Sequence, residues 1–344
     1  MFKVSKRKTV ALAIIGCALF SCSRNPEVKR IIDGVVPTDS ISMRQVEIGT
    51  ELLMPENIFV VKDKLVIYQS KADNLFTVFP LPFTGHSYAA GRTGRGPDEF
   101  IRIDVRSIVP YGDVFKVADA DGMLKEVAID SGRVDVISKT KMNLNQPYNG
   151  AFEMKDCYIN MNLADEKYEY VISDKKTGEM SRVCPYPDWA SAGSSANIAT
   201  YMKYTVPHPD GDRLAAFYTY FRKVRIIDQS GKILRDITLD FTGGTGAYEP
   251  ATASSYNAYC FYPTATGDYI AVNYYDQKLN GPRKKTTEIQ IWNWDGELLH
   301  RLICDKQFMR FTIDFDSGIL FAVPAYDARH LYIADLSGIL AAKE

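Results

Sequence analysis

The histidines His86, His208, His300 and His330 and the six cysteines are the first side chains to test for metal or nucleophilic chemistry. The histidines stand far apart, and none falls in the His-Glu-x-x-His spacing that puts two ligands on one helix face. Cys157, Cys184, Cys260 and Cys304 form no Cys-x-x-Cys pair, so no zinc site is expected. In an exported chain those four allow three disulfide pairings. Isolated in strand-like segments, they read instead as small buried apolar groups. Gly193-Ser194-Ser195 is not a nucleophile elbow. Asp119-Ala120-Asp121-Gly122 has Val117 where a calcium loop needs a further acidic ligand, and it reads as a turn. No metal and no cofactor is expected, and no linear motif assigns a reaction.

Two groups of residues remain as candidates for ligand binding. The first is Arg92 and Arg95 in the stretch Gly91-Arg92-Thr93-Gly94-Arg95-Gly96. No lysine follows it, so it is neither a P-loop nor a dinucleotide fingerprint. Its arginines and turn amides could hold an anion; the plainer alternative pairs them with Asp98 or Glu99. The second group is aromatic. Residues 186–275 hold 12 of the 21 tyrosines, plus Trp189, and two glycine- and serine-rich stretches interrupt them, 190–197 and 243–255. Trp189, Tyr201 and Tyr248 lie in or beside those stretches and are the aromatics expected to contact a ligand. The other tyrosines, as in Phe217-Tyr218-Thr219-Tyr220-Phe221, alternate and are expected to pack between strands.

Composition narrows the partners. The chain has 344 residues, 46% hydrophobic and 24% charged, with 41 basic against 42 acidic side chains. A net charge of −1 offers no basic footprint for nucleic acid. Glycine (23) and proline (16) are near average, which excludes low-complexity and collagenous chains.

The elements that must position these residues repeat. A Gly/Asp turn, a short apolar strand, an alternating strand and a second Asp/Gly turn recur six times. The markers Asp63, Asp113, Asp156, Asp212, Asp268 and Ser317 stand 50, 43, 56, 56 and 49 residues apart. That spacing suits a four-stranded propeller blade and is too long for a helical repeat of about 33. Val, Ile, Tyr, Phe and Thr dominate the segments, and no helical period is sustained after residue 22. The expected fold is an all-β, six-bladed β-propeller over residues 43–344. The orphan segment Gln45-Val46-Glu47-Ile48-Gly49 is expected to pair with the last blade and close the ring.

Residues 91–127 carry the sharpest signature: Gly94-Arg95-Gly96-Pro97-Asp98-Glu99-Phe100, then Val117-Ala118-Asp119 in a strand. This resembles an NHL-type repeat, and its Gly-x-Gly-Pro-x-Glu-Phe form is similar to TolB-like six-bladed propeller lipoproteins of Bacteroidetes. The resemblance implies a propeller and export, and no particular activity. The later units lack the glycine-rich phrase.

The amino terminus reads as an address. Lys3, Lys6, Arg7 and Lys8 precede the uncharged run Thr9–Phe20, which is too short to span a bilayer and suits a signal peptide. Leu19-Phe20-Ser21-Cys22 resembles a lipobox, which implies cleavage after residue 21 and lipidation of Cys22. The remaining chain would carry 37 basic and 42 acidic residues. Residues 22–42, with Pro26, Pro37 and scattered charge, read as a tether. Ser23-Arg24-Asn25 lacks an acidic export run, which favours an outer-membrane lipoprotein facing the periplasm.

The reading is therefore a lipid-anchored, monomeric propeller domain that binds a glycan, a peptidoglycan fragment or an envelope protein at one face. Two alternatives stand beside it: an envelope polysaccharide hydrolase or lyase, and a non-catalytic scaffold for protein partners.

Overall fold

The structure, a computed structural model, describes residues 28–341 apart from 131, 145–149, 164–166, 191–195, 241–256, 279–280 and 283. Cys22 and Tyr248 therefore lie outside the described residues.

The chain is a six-bladed β-propeller whose blades are antiparallel four-stranded sheets, five of them built from strands consecutive in the chain. Blade 1 comprises Pro55–Val61, Lys64–Gln69, Asn74–Pro80 and Tyr88–Thr93, with a short fifth strand Glu99–Phe100. Blade 2 comprises Val109–Tyr111, Val114–Ala118, Met123–Asp130 and Arg133–Lys141. Blade 3 comprises Phe152–Glu153, Cys157–Met161, Tyr168–Asp174 and Met180–Pro185. Blade 4 comprises Lys203–Pro207, Arg213–Tyr218, Lys223–Asp228 and Ile233–Leu239. Blade 5 comprises Asn257–Ala265, Tyr269–Lys278, Thr287–Asn293 and Leu298–Cys304. Blade 6 comprises Phe308–Asp314, Ile319–Pro324 and His330–Asp335, and takes its fourth strand, Arg44–Glu47, from the amino-terminal segment.

That fourth strand is the expected closure. Gln45 pairs with Tyr332 and Glu47 with His330 in antiparallel register. Just beyond it, the amides of Ile48 and Leu52 donate to the carbonyls of Arg329 and Ala328. Ile48 and Leu52 then enter the apolar core shared by blades 6 and 1, beside Phe79, Phe321 and Leu331.

The core is divided into six parts, one at each junction between blades. Phe59, Phe76, Phe100 and Phe115 fill the junction of blades 1 and 2. Leu124, Met142 and Tyr158 fill that of blades 2 and 3. Tyr170, Tyr201, Tyr218 and Phe221 fill that of blades 3 and 4. Phe217, Trp292 and Trp294 serve blades 4 and 5, and Ile289, Phe308 and Phe311 serve blades 5 and 6. Each blade is thus apolar on both faces, which is why its second and third strands read as nearly continuous buried runs such as Lys64–Gln69.

The structure departs from the expected tether over residues 29–41. Lys29–Ile32 runs parallel to the outer strand of blade 4, Lys29 opposite Asp236 and Ile32 opposite Leu239. Thr38–Ile41 does the same on blade 5, Thr38 opposite Arg301 and Ile41 opposite Cys304. The physical reason is a bare sheet edge that supplies unpaired backbone groups, together with two isoleucines, Ile32 and Ile41, that are buried against the blades. The amino-terminal segment is a belt around blades 4, 5 and 6 before it enters blade 1.

A chain beginning at Ser42 should fold and yet lose the burial of Ile32 and Ile41, about 3–6 kcal/mol as an upper figure. The guanidinium unfolding midpoint reports it. Extending the deletion through Glu47 exposes the His330–Asp335 edge and should abolish a single cooperative transition.

Candidate functional site

The six first strands surround a central channel, and a cavity of about 260 Å³ occupies it. The second and third strands of every blade are paired on both sides, and the fourth strands of blades 1, 4 and 5 are covered by a fifth strand. The first strands have a partner on one side only, so their channel-facing edge tolerates irregular backbone. Pro55, Pro110, Pro207 and Pro263 all sit in first strands, where a missing amide costs no ladder bond.

Irregularities in these strands aim side chains at the cavity. In blade 5 the register slips between Phe261, opposite Asn273, and Thr264, opposite Ala271, leaving one extra residue in the inner strand. Tyr262 lies in this bulge with φ of 52°, a left-handed conformation that a tyrosine adopts only when its surroundings enforce it. Further slips occur between Pro55 and Asn57 and between Phe308 and Arg310, which bring Glu56 and Arg310 to the channel wall. Bulges of this kind re-aim side chains beside functional sites.

The four residues that dominate the cavity form a ladder. The Arg106 guanidinium lies 5.0 Å from the centre of the Tyr204 ring. The Tyr204 and Tyr262 rings meet edge to face at 4.8 Å. The Arg310 guanidinium stacks on Tyr262 at 3.4 Å. Blades 4, 5 and 6 supply Tyr204, Tyr262 and Arg310, and Arg106 comes from a 3-10 turn, Val105–Ser107, that leads into blade 2. That turn is held by Asp104, whose carboxylate accepts from the Arg106 amide at 3.2 Å and the Gly150 amide at 2.6 Å. Arg310 Nε donates to the Glu56 carbonyl at 2.6 Å. Burial, and then the neighbouring Tyr262 hydroxyl, push the Tyr204 phenol well above its ordinary range, so it stays protonated. Apolar walls from Phe152, Met161 and Val206 complete the space.

A third cation at the channel wall is neutralised from behind. Lys203 Nζ lies 2.6 Å from Glu169, and Arg225 lies 2.8 Å from the same carboxylate. The Tyr218 hydroxyl donates to Glu169 at 2.7 Å. Glu169 is fully buried, and Arg225 also pairs with Asp236 at 3.1 Å. Burial is the largest influence on Arg225, yet Tyr218, Glu169 and Asp236 outweigh it and hold its pKa above the ordinary arginine value. This network belongs to the junction of blades 3 and 4.

The residues singled out in the sequence fall elsewhere. Arg92 and Arg95 are exposed on the outer part of blade 1 and line no part of the channel cavity. Neither pairs with a carboxylate among the described residues: Asp98 accepts from the Val136 amide, and Glu99 accepts from the Gly96 amide at 2.7 Å. The glycines of that phrase have a structural purpose, since a Cβ on Gly94 would collide with the Glu99 carboxylate. Tyr201 is 3% exposed and packs flat on Phe221 with ring centres 5.1 Å apart. Trp189 is half-buried against Tyr201, Tyr218 and Phe221, with Arg225 over its face at 4.5 Å. Both pack in the blade 3–4 junction.

Asp119, directly after the strand Val114–Ala118, is buried and forms an isolated bridge with Ile103. Its carboxylate accepts from the amides of Ile101, Arg102 and Ala120 and lies 2.6 Å from Lys125 Nζ. Lys125 also donates to the Glu99 carbonyl, so the pair ties the glycine-rich phrase to blade 2. Burial raises the Asp119 pKa, and Lys125 with the three amides outweighs it, leaving the net value lowered.

The cysteines Cys157, Cys184, Cys260 and Cys304 are buried free thiols. Burial pushes Cys157 up to about 11 and Cys184 and Cys304 up to about 12, which keeps them protonated and unreactive. His208 is engaged structurally: its Nδ1 accepts from the Asp210 amide, its Nε2 lies 3.1 Å from the Gly267 carbonyl, and its ring packs on Trp294. Among the described residues no group of three or more His, Cys, Asp or Glu is arranged to hold a metal ion.

Comparison with known proteins places the chain by fold. No family model matches it, and no curated protein matches it. Two solved structures resemble it over most of their length. One is a member of the DUF4221 family from Bacteroides vulgatus, with a TM-score of 0.54, 13% identity, and coverage of 85% of this chain and 95% of that one. The other is a protein designated as exported from Bacteroides fragilis, with a TM-score of 0.51, 12% identity, and coverage of 90% and 99%. At these identities the likeness shows a shared propeller.

Two expectations test these assignments. Asp119→Asn leaves Lys125 buried without its counter-charge and should cost about 3–5 kcal/mol in urea unfolding at pH 7, whereas Asp119→Asn with Lys125→Met, which keeps an oxygen acceptor for the amides and removes the buried charge, should recover part of it. Because the Asp119 pKa is lowered in the fold, its contribution is complete above about pH 4 and is lost as the pH falls through the folded value. Tyr201→Ala should cost about 3–5 kcal/mol, the loss typical of a large buried ring, seen as a lower unfolding midpoint.

Proposed function

We propose that the protein is an exported, lipid-anchored propeller that binds a glycan fragment in its central channel. The observation that carries the reading is the ladder Arg106–Tyr204–Tyr262–Arg310 in a cavity of about 260 Å³, with Tyr262 forced into it by a bulge. Tyrosine offers an apolar face and a hydroxyl, which suits the apolar faces and hydroxyl edges of sugar rings. The volume is just under the usual range for small-molecule sites, about 300–1,000 Å³, and suits a single ring or a chain end. Peptidoglycan fragments belong to the same class.

Export and anchoring rest on the amino-terminal pattern ending at Cys22, and the likeness to a Bacteroides fragilis protein designated as exported supports them. The resemblance of residues 91–127 to TolB-like propeller lipoproteins points the same way. Attachment through Cys22 to the outer membrane, with the domain facing the periplasm, is the arrangement proposed. Binding is favoured over hydrolysis because Glu56 is the one carboxylate among the described cavity-lining residues, whereas glycoside hydrolysis generally uses a pair.

The full chain, extracted in detergent, can be screened against envelope oligosaccharides and muropeptides by thermal shift. A ligand at 100 times its Kd stabilises by about 2.7 kcal/mol, a rise of a few degrees. Thr264→Trp, which fills the channel from blade 5, should remove the rise. No rise with any member, or an equal rise in Thr264→Trp, sinks the proposal.

A further inference from the structure

The channel is cationic where it is aromatic. Its described lining residues include three cations, Arg106, Lys203 and Arg310, and one anion, Glu56. Lys203 is compensated by the buried Glu169. Glu56 is engaged by the Ser70 hydroxyl and meets Arg310 through its backbone carbonyl. The Arg310 guanidinium therefore stands in a space walled by apolar side chains, and the one carboxylate of the described lining meets it only through its backbone carbonyl. Such a charge acts more strongly there than on an open surface, because the surrounding dielectric is lower.

Arg310 has a defined vacancy. Its plane is fixed by stacking on Tyr262 at 3.4 Å, and its Nε is tied to the Glu56 carbonyl. No salt bridge among the described residues engages it. That leaves its terminal Nη groups as paired donors on a pre-oriented plane, the fork that matches the two oxygens of a carboxylate. An arginine held in this way has already lost much of its rotamer freedom, so little ordering remains to be done on binding.

We infer that the channel takes a sugar unit bearing one carboxylate, with the carboxylate on Arg310, Arg106 as the second cation, and the sugar ring against Tyr204 and Tyr262. This deepens the glycan-binding reading above and rests on it. A single carboxylate matches the one fork that Arg310 presents. A phosphate dianion would add a second negative charge to a site that also contains Glu56.

The test uses the full chain in detergent and isothermal titration with glucuronic acid and N-acetylmuramic acid, each beside its neutral counterpart, glucose and N-acetylglucosamine, and with inorganic phosphate. The acids should bind at least ten-fold more tightly than the neutral sugars. Arg310→Ala should abolish that advantage, Arg310→Lys should retain part of it because a lysine is a single-point donor, and Arg106→Ala should reduce it. Melting curves of each variant confirm that the propeller is folded, and Arg106→Ala carries the test if Arg310→Ala unfolds. Equal binding of acid and neutral sugars overturns the carboxylate inference and leaves the channel reading intact. Tighter binding of phosphate than of either acid overturns the carboxylate in favour of a phosphorylated ligand. Acid binding that survives Arg106→Ala, Arg310→Ala and Thr264→Trp overturns both readings, as does the absence of binding by any sugar.

Discussion

A blade with two apolar faces cannot stand alone, and the rest of this molecule follows from that constraint. Each of the six sheets buries one face against the blade before it and the other against the blade after it, so the apolar surface is satisfied only when the ring is complete. Blade 6 has three strands of its own, and the fourth, Arg44–Glu47, comes from the opposite end of the chain. Closure therefore converts a local repeat into a non-local fold: the pairing of Tyr332 with Gln45 joins residues nearly the whole chain apart. The belt of residues 29–41 extends the same logic outward, since it covers the outer edges of blades 4 and 5 that would otherwise present unpaired strands.

The ring also explains where functional residues can be placed. A side chain on a second or third strand is committed to a junction between blades. Trp189 and Tyr201 flank the blade 3–4 junction and are drawn into it, with the buried Glu169 network beneath them. First strands have a free edge toward the axis and can depart from the ladder, as those of blades 1, 5 and 6 do; the fourth strands of blades 2, 4 and 5 also carry bulges. Tyr262 and Arg310 owe their positions to such departures.

This is why the fold was legible in the sequence and the site was not. Blade rhythm is a local signal: Asp/Gly turns at a spacing of about 50 and alternating apolar strands mark each unit, and Gln45–Gly49 stood out as a strand without a neighbour. The glycine-rich phrase and Asp119 were recognisable because their partners are near in sequence, Gly96 with Glu99 and Asp119 with Lys125. The channel ladder joins Arg106, Tyr204, Tyr262 and Arg310 from four separate units, and no spacing relates them. Aromatic density marked a region that holds both the channel rings Tyr204 and Tyr262 and the junction rings Trp189 and Tyr201, because density alone does not separate a junction from an axis. The sequence did hold one usable signal: Tyr262-Pro263 and Val206-Pro207 place a proline inside a strand, which is tolerated on an edge or at a bulge. Within a closed ring one free edge of each blade faces the axis.

The electrostatics of the channel show that its charge is arranged rather than incidental. Lys203 occupies the same strand as Tyr204, and if it were unpaired the cavity would hold three cations. Instead its ammonium is turned to Glu169, over the rings of Tyr170, Tyr186 and Tyr218. Glu169 in turn is shared with Arg225, so one buried carboxylate offsets two cations, with Asp236 taking the remainder. Buried ion networks of this sort add little net stability relative to apolar packing, because the desolvation cost is large. Their effect here is positional: they hold the Lys203 ammonium on Glu169 at the blade 3–4 junction.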